Sequence, residues 1–188
     1  NEPGIIGKTL DAGARGVIIP MVNSVAEAEQ AVRACRYAPE GARSYGPGRA
    51  TYYAGSDYDE HANADVLCIV MIETKEAVAR VDGILAVPGI DAVYIGPADL
   101  SITYGLPPAP AQVADVFNDA LTRVVASCHA HGIVPGIAGN QKTAPLRIAQ
   151  GFRLVEVASD ARLLGIGAGE ALSAAAPDHM SSVRSAYL

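Results

Sequence analysis

The chain has 188 residues, half of them apolar, 18% charged, with a net charge of −6 and a mean hydropathy of +0.21. That is enough apolar material for a sizeable single-domain core and excludes a disordered or low-complexity chain. The acidic balance argues against a nucleic-acid surface, and the longest apolar stretches, such as Val66 to Ile72, are too short to span a bilayer, so neither a nucleic-acid nor a membrane partner is expected. Cys35, Cys68 and Cys128 are odd in number and widely spaced, which fits neither a metal knuckle nor a disulfide framework and points to a reducing, cytoplasmic setting. The first residue is Asn1 and no signal-peptide pattern follows, so the chain is expected to begin downstream of its gene's start.

Along the chain, short β-branched runs alternate with amphipathic stretches. The predicted strands are Gly16 to Pro20, Val66 to Ile72, Asp91 to Ile95, Ile133 to Ile137 and Arg153 to Val157. Most are apolar at every position, as a strand covered on both faces requires. A helix is predicted from Ser24, where Ser24 and Glu27 form a capping-box pattern and Ala28, Ala31, Val32 and Cys35 share one face. Further helices are expected over Thr74 to Leu85, Ala111 to Ala130, Gln141 to Gln150 and Ala161 to Ala175. Between Ala38 and Ala64 lies a long Gly-, Tyr- and Arg-containing connection, which must fold locally or serve a site. The tail 177–188 is polar and patternless, so residues 1–176 are expected to form the domain. Five strand–helix units in series predict a parallel sheet with right-handed crossovers. Length alone favours an open doubly wound sheet, since a (β/α)₈ barrel needs eight units and typically about 250 residues.

In parallel α/β folds, ligands bind beyond the carboxyl ends of the strands. Two carboxylates stand there: Glu73 directly after the second strand, and Asp99 in the Gly96-Pro97-Ala98-Asp99 turn after the third. Either alone is also what a helix start asks for. Together, on neighbouring strand ends, they can share a hard divalent cation that keeps its other positions for water and substrate oxygens. Gly96 allows close backbone approach, and the amides of Ala98 and Asp99 can receive a carboxylate.

The segments Met71-Ile-Glu-Thr-Lys-Glu-Ala77 and Tyr94-Ile-Gly-Pro-Ala-Asp-Leu-Ser101 resemble the two signatures of the HpcH/HpaI aldolase and citrate lyase family. Leu10 to Ala14, Ile19 to Val22, Arg33 to Tyr37 and Gly41 to Arg43 match in order and spacing, and the likeness runs from Asn1 to about Ala175. The resemblance implies an α/β (β/α)₈ barrel of the phosphoenolpyruvate/pyruvate type, with about five of its eight βα units in this chain. It also implies a class II aldolase that cleaves or forms 4-hydroxy-2-oxo acids from pyruvate and an aldehyde through a metal-stabilised enolate. By position, Glu73 and Asp99 match the metal ligands, for Mg²⁺, Mn²⁺ or Co²⁺. Gly96, Ala98 and Asp99 match the turn that receives the pyruvate carboxylate. The family's proton-transfer His and substrate-binding Arg are expected upstream of Asn1. Homo-oligomers, dimeric or hexameric, are implied, with the helix around Ala161 to Ala175 exchanged between subunits.

Other residues invite site readings. His61, His129, His131 and His179 read as surface or helix-end histidines. A Schiff-base aldolase needs a lysine desolvated on a strand, and Lys8, Lys75 and Lys142 lie outside the predicted strands. Arg43 could bind a substrate carboxylate or pin the long connection. Ala138, in a segment similar to one lining the aldehyde side in the family, is small there. Gly165 to Gly169 reads as small-residue helix packing, since it lacks dinucleotide-loop spacing. Two alternatives stay open: an acyl-CoA ester lyase of the citryl- or malyl-CoA type, and a catalytically incomplete barrel with a binding or assembly role.

Overall fold

The computed structural model describes residues 1–108 and 113–175; the tail 177–188, with His179, lies outside them. Five parallel strands are hydrogen-bonded in the order β1-β2-β3-β4-β5. They are β1 (Gly16–Ile19), β2 (Leu67–Met71), β3 (Ala92–Ile95), β4 (Val134–Ile137) and β5 (Leu154–Val155). This order decides between the two architectures. A doubly wound sheet reverses direction at a switch point, whereas here every strand lies beside its successor, as around a barrel wall. The expectation from length alone is therefore corrected: counting units cannot show which strands are neighbours.

The chain enters through α1 (Pro3–Asp11), a helix absent from the sequence reading although its signals are local. The Glu2 carboxylate accepts from the amides of Gly4 and Ile5, Pro3 opens the helix, and Gly13 beyond its end adopts φ 105°. After β1, Ser24 caps α2 (Val25–Cys35), accepting from Glu27 N. The Glu27 carboxylate returns to the amide of Asn23 rather than of Ser24, a capping box displaced by one residue.

The long connection folds locally into α3 (Ala50–Ala54) and α4 (Tyr58–Asp65). It is pinned by Arg43, whose guanidinium donates to Asp11 at 2.7 Å and to the Tyr58 hydroxyl at 3.1 Å and lies 4.4 Å above the Tyr37 ring. Deeper in, buried Arg36 ties the Val66 and Gly89 carbonyls to the Asp91 carboxylate.

The expected helix from Thr74 to Leu85 is divided into α5 (Lys75–Ala79) and α6 (Val81–Leu85). Arg80 leaves helical backbone angles between them, and its guanidinium donates to the Asn23 carbonyl. Beyond β3 come α7 (Pro97–Thr103) and α8 (Asp115–His131), the latter starting later than expected; positions 111–112 lie outside the described residues. The Asn140 side chain accepts from the Lys142 and Thr143 amides, and that turn delays α9 to Ala144–Ala149. Last is α10 (Asp160–Ala175), which buries none of its residues. Gly165, Gly167 and Gly169 are helical, but no described neighbour packs against them.

Side chains alternate along the strands. Cys68, Val70, Ile72, Val93, Ile95 and Ile137 face the helices and are fully buried. Ile18, Leu67, Ile69, Met71, Ala92 and Tyr94 occupy the opposite, inner face.

Candidate active site

The carboxyl ends of β2 and β3 bring the predicted acidic residues together. Glu73 follows Met71 by two residues and so continues the inner face; it is 3% exposed. Its Oε1 accepts the Met21 amide at 2.8 Å. Met21 adopts φ 58°, a left-handed conformation that few non-glycine residues take up, and this turns its N–H onto the carboxylate. Behind it, Thr74 caps α5 through the Ala77 amide, and its hydroxyl donates to the Asn23 side chain.

The other oxygen of Glu73 reaches Gly96. A Cβ at Gly96 would lie 2.5 Å from Oε2 and 3.0 Å from the Met71 methyl. Glycine is thus required by close approach rather than by backbone angle. Gly96 opens α7, no side chain caps that helix, and Asp99 stands exposed in its first turn. Burial raises the Glu73 carboxyl above its usual range; the Met21 hydrogen bond opposes this, and the Asp99 charge adds to it.

Among the described residues no three His, Cys, Asp or Glu side chains cluster as a metal cage. Two carboxylates without a third donor fit a hard ion such as Mg²⁺, which relies on water and substrate oxygens for its remaining positions. The donor set suits the predicted metal and does not suit a structural zinc site.

Other candidates separate cleanly. The side chain of Arg43 is fully buried between Asp11 and two tyrosine rings, so the pinning role holds. His129 and His131 end α8 just ahead of β4, at the amino end of the sheet and opposite the acidic pair. His61, in the middle of α4, is mostly exposed beside Asp57. Lys75 and Lys142 are exposed, so neither is desolvated as an imine-forming lysine must be. Two features carry no signal readable in sequence: the Met21 amide, a backbone group, and a contact between the Tyr94 hydroxyl and Glu156 Oε2 at 3.0 Å.

The model of the HpcH/HpaI aldolase/citrate lyase family matches residues 1–165. This chain belongs to that family. It is 42% identical over 175 residues to a hydroxypyruvate/pyruvate aldolase of Rhizorhabdus wittichii, covering 92% of this chain and 69% of that protein. It is 39% identical to a 4-hydroxy-2-oxo-heptane-1,7-dioate aldolase of Salmonella arizonae, covering 93% and 66%. The solved structure of a family member from Burkholderia cenocepacia superposes with a TM-score of 0.81 at 31% identity, covering 93% of this chain and 70% of that one. The family is one of carbon–carbon lyases, in line with the barrel-like strand order. Among the described residues, no helix is long and apolar enough to cross a membrane.

Proposed function

We propose that the protein joins pyruvate, or a close relative, to an aldehyde and splits the resulting 4-hydroxy-2-oxo acid. The observation that carries this reading is that Glu73 Oε2 lies against Gly96, the residue that opens α7, whose first turn carries Asp99. The names of the aldolase relatives support the substrate class.

Glu73 and Asp99 would hold a divalent cation, Mg²⁺, Mn²⁺ or Co²⁺. When bound, that ion supplies positive charge beside the substrate's 2-oxo oxygen, where negative charge develops as the carbon–carbon bond forms or breaks. The chain's own residues do the positioning. The Met21 amide fixes Glu73 Oε1 and leaves Oε2 on the Gly96 side. Gly96 lets the substrate carboxylate approach the backbone, and the Ala98 and Asp99 amides in the first turn of α7 receive it. Burial of Glu73 beneath the rim keeps water from competing for the carboxylate. α10, which buries none of its own residues and exposes Leu163, Leu164 and Leu172, is the segment available for exchange between subunits of a homo-oligomer.

The test is calorimetric titration of Mg²⁺ or Mn²⁺ with pyruvate, beside assays of retro-aldol cleavage and oxaloacetate decarboxylation. Glu73→Ala and Asp99→Ala should each weaken ion-dependent pyruvate binding and lower both activities by about 10²-fold or more; unchanged activity in both variants overturns the reading.

A further inference from the structure

The inner-face row that begins at Glu73 does not stop at Gly96. Tyr94 pairs with Gly136 and Gly136 with Leu154. The ladder continues one residue past the strands, with Ala138 N donating to Ile95 O at 3.0 Å and Glu156 N to Ile137 O at 3.2 Å. With a side-chain period of two, Glu73, Gly96, Ala138 and Glu156 form one row across four neighbouring strand ends.

The row is closed on one side and open on the other. Towards β1, the Met21 amide sits on Glu73, and Asn23 and Thr74 bond to each other behind it. Towards β4, Gly96 and Ala138 contribute only a hydrogen and a methyl group. These are the smallest side chains in the row, Ala138 is only partly buried, and the next side chain beyond it is Glu156.

That carboxylate is held in place. Tyr94, one row deeper on β3, reaches across β4 and donates its hydroxyl to Glu156 Oε2 at 3.0 Å. Glu156 Oε1 takes no hydrogen bond from any described residue. Satisfying a half-buried tyrosine would need only a neutral acceptor; a carboxylate adds a fixed negative charge to the wall of the site.

We propose that Glu156, oriented by Tyr94, selects the second reactant. It accepts hydrogen bonds from the hydroxyl of a neutral hydroxyaldehyde and turns away aldehydes that carry a carboxylate of their own. This rests on the aldolase reading above. Two like charges facing one another at a partly desolvated site repel strongly enough for about tenfold discrimination or more.

The experiment compares glycolaldehyde with succinic semialdehyde as acceptors for pyruvate, using the full chain with Mn²⁺. The neutral-to-anionic ratio of kcat/KM is measured for the wild type, Glu156→Gln, Glu156→Asp and Tyr94→Phe. Gln keeps an acceptor for Tyr94 and removes only the charge, so the ratio should fall about tenfold or more, mainly through a lower KM for the anionic aldehyde. Asp keeps the charge and should keep the order of preference, while Tyr94→Phe should lower the ratio less than Gln does. A wild type that favours the neutral acceptor, with a Glu156→Gln ratio within twofold of it, overturns the proposal. A wild type that fails to exchange the C3 protons of pyruvate with deuterium overturns the aldolase reading itself, and the selection role with it.

Discussion

The two faces of the one sheet are made by the same strands and have opposite characters. Against the helices, Val70, Ile72, Val93, Ile95 and Ile137 are completely buried, while on the inner face Ile18, Leu67, Val134 and Leu154 remain 38–47% exposed. Polar groups follow the same division: Glu73, Tyr94 and Glu156 all lie on the inner face or its extension. Alternation lets one strand hold the fold together with every second residue and leave the others to face a ligand. Conversely, apolar packing on the helix side is what tolerates a buried carboxylate only a residue away, as Ile72 and Glu73 illustrate.

Paired truncations would break this division most directly. Asp99→Ala should lower kcat/KM roughly 10²- to 10³-fold, the loss typical of removing one group that stabilises developing charge, with the melting temperature nearly unchanged. Ile95→Ala, four residues earlier but facing the helices, should cost about 2–4 kcal/mol of stability, read as a fall in melting temperature of roughly 5–15 °C, with activity per folded molecule retained. If Ile95→Ala removed activity while leaving melting intact, the two faces would not be separable in this way.

Gly96→Ala sharpens the comparison within the site. The added methyl would sit 2.5 Å from Glu73 Oε2, so the carboxylate must shift away from the Asp99 side. Cation affinity, measured by titration, should weaken roughly 10- to 100-fold, as when an orienting contact to a metal ligand is lost. Arg43→Ala tests the other side of the molecule. It leaves Asp11 without its ion-pair partner and a void between the Tyr37 and Tyr58 rings. Because Asp11 retains some solvent access, a cost of about 2 kcal/mol is expected, below the range for a fully buried pair. Ion-dependent pyruvate binding should be unaffected; a variant that melts normally but loses pyruvate would return Arg43 to the site.

What could be read from sequence follows from how local each signal is. The strands were legible because both faces of each are apolar, and the acidic pair because Glu73 and Asp99 directly follow two of them. Strand order was not: five βα units look alike in an open sheet and a barrel, and only the resemblance carried by the Glu73 and Asp99 segments separated the two. The break at Arg80 depends on a carbonyl at Asn23, 57 residues away. The Tyr94–Glu156 contact spans 62 residues and joins β3 to the end of β5 across β4. The Met21 amide leaves no trace in residue type at all. Helix α1 is the converse: its signals at Glu2, Pro3 and Gly13 are local, but they are polar and conformational and not an apolar run.

The smallest expected effect concerns the proton on Glu73. Burial first, and the Asp99 charge in addition, raise its pKa above the ordinary glutamate value in spite of the Met21 hydrogen bond. A carboxyl whose pKa is higher in the folded state favours folding most where it is protonated, below the unfolded value. That contribution is lost as pH rises through the folded pKa, and above it the ion-free protein carries a buried charge. Glu73→Gln keeps an acceptor for Met21 and removes that charge, so at neutral pH the ion-free variant should melt about 2 °C higher than the wild type. Cation binding has the opposite sign, because it needs the ionised form. Wild-type affinity should decline with acidification from a pH above the usual glutamate range, and Glu73→Gln should bind too weakly to show the dependence. A wild-type affinity that stays level down to pH 4.5 would mean that Glu73 does not share the ion with Asp99.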